Sequence, residues 1–258
     1  MCILLVAYEA DPAYPLIIAA NRDELYDRPA SPAHWWPDAP RVLAGRDQKA
    51  GGTWLGVSRE GKFAALTNHW GGEKVPADAP SRGLLVGNFL SSLKGAEEYL
   101  NEIKREGNAY AGFNLIFGSP SRFFYYTNRS MDGTGQLSTG IHCISNAVLD
   151  TPWPKVVLAK KLLAELIATG NVTKQGLFEL LNRSEQEEEQ KREDLSDERR
   201  RVLSRSSIRV FFPRFGTRSS TVVLYKRDGT IHFEERTYYP PGVKKFAWKR
   251  ETDPDTLV

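Results

Sequence analysis

The chain has 258 residues, of which 41% are hydrophobic and 26% are charged. These proportions are typical of a soluble globular protein and supply enough apolar side chains for one large domain. The 35 basic and 32 acidic residues leave a net charge of +3, a balance that argues against dedicated nucleic-acid binding. No apolar run approaches the roughly 20 residues of a membrane span, so we expect no stable membrane insertion.

The cysteine content indicates the cellular compartment. Cys2 and Cys143 are too few for a disulfide framework, which favours a reducing environment. The first apolar run is interrupted at Glu9 and has no basic segment before it, so we expect no signal peptide. The sequence therefore predicts a cytoplasmic protein.

The first two dozen residues predict a β-hairpin. Two apolar runs, residues 3–8 and 16–20, flank a polar turn that contains Pro12. An antiparallel pair places Cys2 beside the polar residues that end the second strand. Because Met1 is followed by a small residue, an aminopeptidase can remove it and leave Cys2 with a free α-amine. That amine can accept the thiol proton, as in N-terminal nucleophiles. The alternative is that Cys2 is a buried core residue and residues 21–24 are a solvated turn.

Further elements follow in chain order. Repeated X-Pro pairs predict an extended loop over residues 25–40, whose aromatic side chains either line a ligand site or plug the edge of the core. A glycine turn at residues 51–52 leads into a strand, and the strand at residues 62–67 ends in Asn68 and His69. The later elements are predicted as helices over residues 81–90 and 96–106 and after residues 150 and 173, and as strands over residues 111–117, 122–127, 136–145, 221–225 and 231–236.

Residues 183–209 break this pattern with dense mixed charge, which predicts a mobile excursion or an exposed helix. The segment after residues 240–241 is predicted to be peripheral. No repeat or low-complexity linker divides the chain, so we expect one domain. Because the helices cluster and do not alternate with the strands, the order of elements predicts an α+β fold with largely antiparallel sheets.

Seven short motifs occur in order along nearly the whole chain. They are Met1-Cys2, residues 19–24 (AANRDE), 51–56 (GGTWLG), 65–68 (ALTN), 112–115 (GFNL), 145–153 (SN with DTPW) and 216–218 (GTR). Together they resemble the NRDE family, the transport-and-Golgi-organisation family. The resemblance implies a single domain over residues 1–258 with the N-terminal-nucleophile (Ntn) hydrolase fold, an αββα sandwich of two antiparallel sheets between helix layers. It also implies links to haem trafficking and to lipid or acyl-coenzyme-A metabolism.

A more distant similarity is to the choloylglycine hydrolase and penicillin V acylase group, whose nucleophile is a Cys exposed by removal of Met. That group has an Arg-Asn-x-Asp stretch, an oxyanion Asn and a late Arg, for which Asp23, Asn146 and Arg218 are the matches here. The first Arg does not match, since Ala20 stands three residues before Asp23. Arg22 lies at an odd offset from Asp23, as Ala20 does, and thus on the same face of a strand. Either Arg22 substitutes for the missing Arg, or hydrolysis has been lost and binding kept.

These resemblances imply an acyl hydrolase or transferase for a small-molecule amide or thioester. Cys2 would attack the carbonyl with its α-amine as base, Asp23 would hold the amine, and Asn146 would donate a hydrogen bond to the oxyanion. Arg218, with Arg22, would position an acidic group or stabilise the thiolate. The candidate catalytic residues are therefore Cys2, Asp23, Asn146 and Arg218, and the candidate substrate-binding residues are Asn21, Arg22, Glu24, Trp54, Asn68, His69 and Asn114. No metal or cofactor is required by this reaction.

The competing hypothesis is a non-catalytic protein that binds or traffics haem or an acyl-coenzyme A in the same cleft. Haem needs an axial ligand. The candidates are His34, His69, His142, His232, Cys2 and Cys143, and neither cysteine precedes a proline. Acyl-coenzyme A would use arginines for its phosphates.

Overall fold

The computed structural model describes residues 2–70, 78–130 and 134–251, which form 13 strands and six α-helices. The strands are β1 Cys2–Tyr8, β2 Leu16–Leu25, β3 Ala30–Trp36, β4 Ala39–Asp47, β5 Leu55–Ser58, β6 Phe63–Asn68, β7 Phe113–Ser119, β8 Arg122–Thr127, β9 Gly135–Gln136, β10 Gly140–Ile144, β11 Phe215–Tyr225, β12 Thr230–Tyr238 and β13 Pro241–Lys249. The helices are α1 Gly83–Ser91, α2 Ala96–Glu106, α3 Pro154–Ala168, α4 Lys174–Leu181, α5 Glu187–Gln190 and α6 Asp197–Ser206. The predicted order of strands, helices and strands is confirmed.

The strands form two antiparallel sheets. The six-stranded sheet has the order β10-β1-β2-β11-β12-β13, and the seven-stranded sheet has the order β3 to β9. The predicted N-terminal hairpin is present as β1 and β2. Its turn is closed by the Asp11 carboxylate, which accepts hydrogen bonds from the backbone N–H groups of Ala13 and Tyr14 at 2.8 and 2.9 Å. A carboxylate that bonds its own downstream backbone in this way is a local turn signal.

The chain divides into two compact units. The first unit comprises residues 1–28, 139–227 and 232–246 and contains most of the six-stranded sheet. Helices α3 and α4 pack against one face of that sheet. In this unit, every second side chain of β1 and every third or fourth side chain of α3 belongs to the core, as the periods of strands and helices require. Its central members are Ile3, Leu5, Ile17, Ala19, Val156, Ala159, Leu163, Leu177, Val222 and Leu224.

The second unit comprises residues 29–138, 228–231 and 247–258. Helices α1 and α2 cover one face of the seven-stranded sheet, where the rings of Phe89, Tyr99 and Phe117 pack with centroids 5.1 to 5.6 Å apart. The start of α1 needs a glycine across from it. A Cβ on Gly52 would lie 2.4 Å from the backbone carbon of Gly83, which no side chain can tolerate. This close approach is the physical reason for the glycine turn at residues 51–52.

The predicted loop over residues 25–40 is wrong, because β3 and the start of β4 lie there. The prolines misled the prediction. Pro32 is in β3, which is an edge strand with register shifts, and an edge strand tolerates a residue without an N–H group. Trp36 is buried and its indole N–H donates to the Ala44 carbonyl at 3.1 Å. For Trp36, the interpretation as a core plug is therefore confirmed.

Residues 183–209 contain the short helix α5 and the longer helix α6. Gln190 is fully buried and bonds the Ser207 hydroxyl at 2.8 Å and the Phe211 N–H at 2.9 Å. Leu203 packs with Val210 and Phe212 in a small core of its own. The helical alternative is thus confirmed, with buried anchors that the charged sequence concealed, and the mobility of the segment stays a prediction.

The segment after residue 240 forms β13, an exposed strand at the edge of the six-stranded sheet. The sequence prediction missed it because its first five residues are exposed on both faces and show no alternation. None of the helices in the described ranges has the length and apolar character needed to cross a membrane.

Candidate active site

The strand register gathers the N-terminal candidates at one end of the six-stranded sheet. Cys2 in β1 lies directly across from Arg22 in β2. On the other side of β2, Asp23 lies across from Thr217 in β11, and Ser219 lies across from Arg22. Residues that are far apart in sequence therefore meet where β1 begins and β2 approaches its end. This neighbourhood was predicted from the hairpin alone for Cys2 and Arg22.

The Cys2 thiol is held in its protonated form. Burial raises its pKa, and the Asp23 carboxylate raises it further. A hydrogen bond from the backbone N–H of Asp23 and the charge of the Arg22 guanidinium lower the pKa without offsetting burial. The residue as a whole is half-buried. A nucleophilic role would thus need a base at the thiol. Met1, whose removal would supply one, lies outside the described residues.

Asp23 is fixed by a directed chain of hydrogen bonds. The backbone N–H of Val210 donates to the Thr217 hydroxyl oxygen at 3.0 Å, and the Thr217 hydroxyl donates to Asp23 Oδ1 at 2.7 Å. Burial raises the pKa of the Asp23 carboxyl group, while the charges of Lys155 and Arg22 and the bond from Thr217 lower it. Asp23 is 3% exposed, so the charge state of its carboxyl group is decided by these neighbours and not by solvent.

Steric crowding explains why the 216–218 motif begins with glycine. A Cβ on Gly216 would lie 2.2 Å from the Tyr26 hydroxyl oxygen and 2.7 Å from the Val210 carbonyl oxygen. Only glycine permits this approach, and the approach brings the Val210 backbone to Thr217. Gly216 thus supports the hydrogen bonds that hold Asp23.

Arg218 occupies a β-bulge between Thr217 and Ser219. Its guanidinium group donates to the backbone carbonyls of Leu25 at 3.2 Å, Tyr239 at 2.9 Å and Arg28. These bonds anchor the chain that leaves β2. The geometry gives Arg218 a clear structural task, and its catalytic role stays a prediction.

Asn21 and Glu24 both have structural hydrogen-bond partners. The Asn21 amide nitrogen donates to the carbonyls of Leu181 and Ile208 at 2.9 and 3.0 Å, and its oxygen accepts from Ser220 at 2.6 Å. Both N–H groups of Asn21 are used, so it ties β2 to the end of α4 and to the segment after α6. Glu24 accepts from the Leu25 backbone N–H at 2.9 Å.

Asn146 follows β10, which pairs with β1 through Leu4 across from Ile144. That pair is the last of the ladder, and Asn146 lies two residues beyond it in the chain that leaves β10. The Ser145 hydroxyl bonds the Cys2 carbonyl oxygen at 2.8 Å and the Asn146 side-chain oxygen at 3.3 Å. Asn146 is fully buried. The structure therefore brings together three of the four catalytic candidates, Cys2, Asp23 and Asn146, in the first unit.

The loop after Asn146 is closed by Asp150, whose φ of 58° is in the left-handed region. The Asp150 carboxylate accepts from the Cys143 backbone N–H at 2.8 Å and from Lys160 at 2.8 Å, and its second oxygen lies 2.9 Å from His142 Nδ1. The Asp150 N–H returns a bond to the Cys143 carbonyl at 2.9 Å. This clamp folds residues 145–153 back onto β10 and sets the start of α3.

Lys155 is the residue that the sequence reasoning missed. It is the second residue of α3, it is 0% exposed, and its ammonium nitrogen has no hydrogen-bond partner among the described residues. Burial lowers its pKa, and the negative charge of Asp23 opposes that effect, as do Cys143 and Cys2 when their thiols are deprotonated. A signal was present, because Lys155 stands four residues before the inward-facing Ala159 on the buried side of an amphipathic helix.

Comparison with known proteins identifies the family. The family model described as Transport and Golgi organisation 2 matches residues 1–240. The chain belongs to this family. It is 38% identical over 276 residues to a Transport and Golgi organization protein 2 homolog from Bos taurus, with 98% of each chain covered. It is 25% identical over 261 residues to Transport and Golgi organization protein 2 from Drosophila melanogaster, with 92% of each covered.

Solved structures with a similar fold are Ntn hydrolases. An N-acylethanolamine-hydrolyzing acid amidase ortholog from Caenorhabditis elegans superposes with a TM-score of 0.51 at 13% identity, covering 86% of this chain and 92% of that one. A mutant conjugated bile acid hydrolase from Clostridium perfringens gives a TM-score of 0.52 at 10% identity, covering 98% and 94%. The predicted α+β class with two antiparallel sheets and an Ntn-hydrolase-like fold is confirmed.

The remaining substrate-binding candidates of this family member lie in the second unit. Asn114 is fully buried, where its amide nitrogen donates to Thr67 Oγ1 at 3.2 Å and its oxygen accepts from the Tyr125 hydroxyl at 2.8 Å. Trp54 is half-buried and packs against Gly45, where a Cβ would lie 2.4 Å from the indole ring. Asn114 and Trp54 thus have structural partners within their own unit.

Asn68 and His69 are half-buried at the end of β6, as the sequence predicts. Burial lowers the pKa of the His69 ring, and the charge of Arg129 lowers it further. Of the haem-ligand candidates in the first unit, His142 is bonded to Asp150 and Cys143 is fully buried. Across the described ranges, no three His, Cys, Asp or Glu side chains are grouped so that they could hold a metal ion.

Proposed function

We propose that this member of the Transport and Golgi organisation 2 family is an Ntn-type hydrolase or transferase that acts on the acyl group of a small-molecule amide or thioester. The observation that carries the proposal is that Cys2 lies across from Arg22 and its thiol accepts from the backbone N–H of Asp23, while Ser145 bonds both Cys2 and Asn146. The two solved neighbours described above support it, since their names describe an amidase and a hydrolase.

The reaction needs no metal or cofactor. Removal of Met1 would expose the Cys2 α-amine, which takes the thiol proton as the sulfur attacks the carbonyl carbon. A C–S bond forms, the carbonyl π-electrons move to oxygen, and Asn146 donates a hydrogen bond to that oxyanion. A donor of this kind contributes about 3 kcal/mol to transition-state stabilisation. The oxyanion then collapses and expels the amine or thiol, which takes the proton from the α-amine. Water or another acceptor releases the acyl group from Cys2.

Asp23 and the arginines serve this step without forming bonds to the substrate carbon. Asp23 would accept a hydrogen bond from the α-amine and hold it against the thiol. Arg22 would attract an acidic group of the substrate and favour the thiolate, whose pKa it already lowers. Arg218 would fix the end of β2 through its three carbonyl bonds and so position Arg22 and Asp23.

A specific observation favours a second function. Burial raises the pKa of the Cys2 thiol, and a thiol without an activating base is a poor nucleophile. The same site in a protein that keeps Met1 would bind its ligand without turnover. The second candidate is therefore a non-catalytic carrier of haem or an acyl-coenzyme A in the cytoplasm.

Mass spectrometry of the purified protein separates the two functions. We expect an intact mass that begins at Cys2, and a gain of one octanoyl group on Cys2 after incubation with octanoyl-coenzyme A. Cys2→Ala should remove the adduct, and Cys143→Ala should keep it, because that thiol is fully buried in the core. Retention of Met1 in most molecules, or stoichiometric binding of the probe without any adduct, would reject the enzyme and favour the carrier.

A further inference from the structure

Lys155 occupies its position at a considerable energetic cost. Its side chain is fully buried, its ammonium nitrogen has no hydrogen-bond partner in the described part of the chain, and it lies in the first turn of α3. Burial of an unpaired ammonium group is strongly unfavourable, and the positive end of a helix dipole disfavours a cation. Ordering a lysine side chain also costs conformational entropy. An apolar residue at this position would avoid all three costs.

Helix α3 packs against β10 and β1 of the six-stranded sheet. Asp23 on β2 is the group whose charge acts on Lys155 most strongly, and Cys143 on β10 and Cys2 on β1 act on it when their thiols are deprotonated. Arg22, also on β2, acts on Asp23 with the same sign as Lys155. On α3 itself, Lys160 is already paired with Asp150. Asp23 is therefore the group that an ammonium at position 155 affects most.

We propose that Lys155 is a positioning residue of the candidate active site, and that its ammonium group is the counter-ion that keeps the buried Asp23 carboxylate ionised beside Cys2. The inference rests on the proposed function, because an ionised Asp23 is what would hold the Cys2 α-amine. It assigns to Lys155 a role that none of the catalytic candidates fills.

The physical argument concerns the net charge of the cluster. A buried carboxyl group without a counter-ion takes up a proton, and a neutral carboxyl group holds an amine less firmly. Lys155 lowers the pKa of Asp23 and so opposes that protonation. Lys155 also interacts with Cys2, and a positive charge at position 155 favours the thiolate. It therefore acts against the repulsion by which Asp23 raises the pKa of the thiol.

The first test is the pH dependence of Cys2 alkylation by iodoacetamide, followed by peptide mass spectrometry from about pH 6 to about pH 10, which brackets an ordinary thiol pKa of about 8.5. Lys155→Met removes the positive charge and keeps an unbranched side chain of similar length. Without that charge the Cys2 thiol loses its proton less readily, so the pH profile of Cys2 alkylation should move to higher pH by about one unit. Asp23→Asn/Lys155→Met removes both charges and should return the profile towards that of the wild type.

The matched control is Lys161→Met, the same substitution at a side chain on α3 that is 72% exposed. It should leave the profile unchanged. If Lys155 were only structural, Lys155→Met would lower the melting temperature and leave the labelling profile where it was.

Infrared spectroscopy measures the protonation state of Asp23 directly. It is needed because an Asp23 that takes up a proton in Lys155→Met would be neutral and would no longer repel the Cys2 thiolate. That variant at neutral pH would then show the C=O band of a protonated carboxyl group, and the band would be absent from Asp23→Asn/Lys155→Met. Either the alkylation shift or this band supports the proposal, and the absence of both overturns it. Should Lys155→Met fail to fold, the difference spectrum between wild type and Asp23→Asn still decides. A protonated Asp23 in the wild type at neutral pH overturns the proposal, and an ionised one supports it.

The outcomes for Lys155 and for the proposed function can be told apart. If Cys2 accepts the octanoyl group but Lys155→Met changes neither the alkylation profile nor the infrared band, only the proposed role of Lys155 is wrong. If Lys155→Met has the expected charge effects but Cys2 forms no acyl adduct, only the proposed hydrolase or transferase function is wrong.

Discussion

The second unit buries Asn114 in a closed network, the Asn114 network, in which its amide nitrogen donates to the Thr67 hydroxyl oxygen and its amide oxygen accepts from the Tyr125 hydroxyl. The first unit buries Asp23 and Lys155 as opposite charges, and the Lys155 nitrogen has no hydrogen bond among the described residues. Both sites lie at or near strand ends, and both contain polar side chains that solvent does not reach. The difference lies in how fully their hydrogen-bonding capacity is met.

The extent of hydrogen bonding decides whether a buried polar group stabilises the fold or destabilises it. Buried polar groups with matched partners contribute to stability, and removing one partner leaves the other unsatisfied. A buried charge pair loses more in desolvation than it regains unless its geometry is very good. We therefore expect substitutions at the two sites to change stability with opposite sign. Two predictions test this, and a third concerns Asp150, a charged group that is well bonded.

The largest expected effect is at Asn114. Asn114→Ala leaves the buried hydroxyls of Thr67 and Tyr125 without their partner and should lower the free energy of unfolding by about 3 kcal/mol. Urea denaturation followed by circular dichroism measures this. The control is Asn101→Ala on the exposed face of α2, with an expected change within about 0.5 kcal/mol. Equal effects of the two substitutions would remove the contrast between the sites.

The second prediction has the opposite sign. Asp23→Asn/Lys155→Met keeps the shape of both side chains and removes the desolvation cost of both charges, so it should raise the free energy of unfolding by about 2 kcal/mol. The Thr217 hydroxyl can still donate to the amide oxygen at position 23. Lys161→Met, measured in the same urea series, should be neutral. A double variant less stable than the wild type would mean that the charge pair stabilises the fold.

The smallest effect is expected at Asp150, which is charged but well bonded. Burial alone would raise its pKa, yet the bonds from His142, Lys160 and the Cys143 N–H lower it below its usual value. A carboxyl group whose pKa is lower in the folded state stabilises the fold at neutral pH and loses this contribution as pH falls through the folded pKa.

The test at this position is Asp150→Asn. It should cost about 1 kcal/mol at neutral pH, a modest value because the carboxylate is partly exposed and screened. Below about pH 4, the usual carboxyl range, the difference from the wild type should shrink towards zero. Urea denaturation at several pH values measures it, and a difference that does not change with pH would show that the clamp acts without its charge.

Local patterns in the sequence determined much of the fold. The period of two in residues 3–8 and 16–20 determines the hairpin, and the hairpin determines that Cys2 faces Arg22. The three- and four-residue spacing in α3 and the polar turn at Asp11 are likewise local. Such features depend on neighbours within a few positions, so one sequence is enough to predict them.

The partners of the charged groups were decided by the tertiary structure. Thr217 reaches Asp23 across 194 residues, and Ser145 reaches Cys2 across 143. The sequence shows Lys155 only as a helix lysine, and it is the packing of α3 against the sheet that removes it from solvent. The backbone carbonyls that accept from the Arg218 guanidinium group are likewise distant in sequence. Burial and charge pairing arise from contacts between distant segments, and no local periodicity encodes which segments will meet.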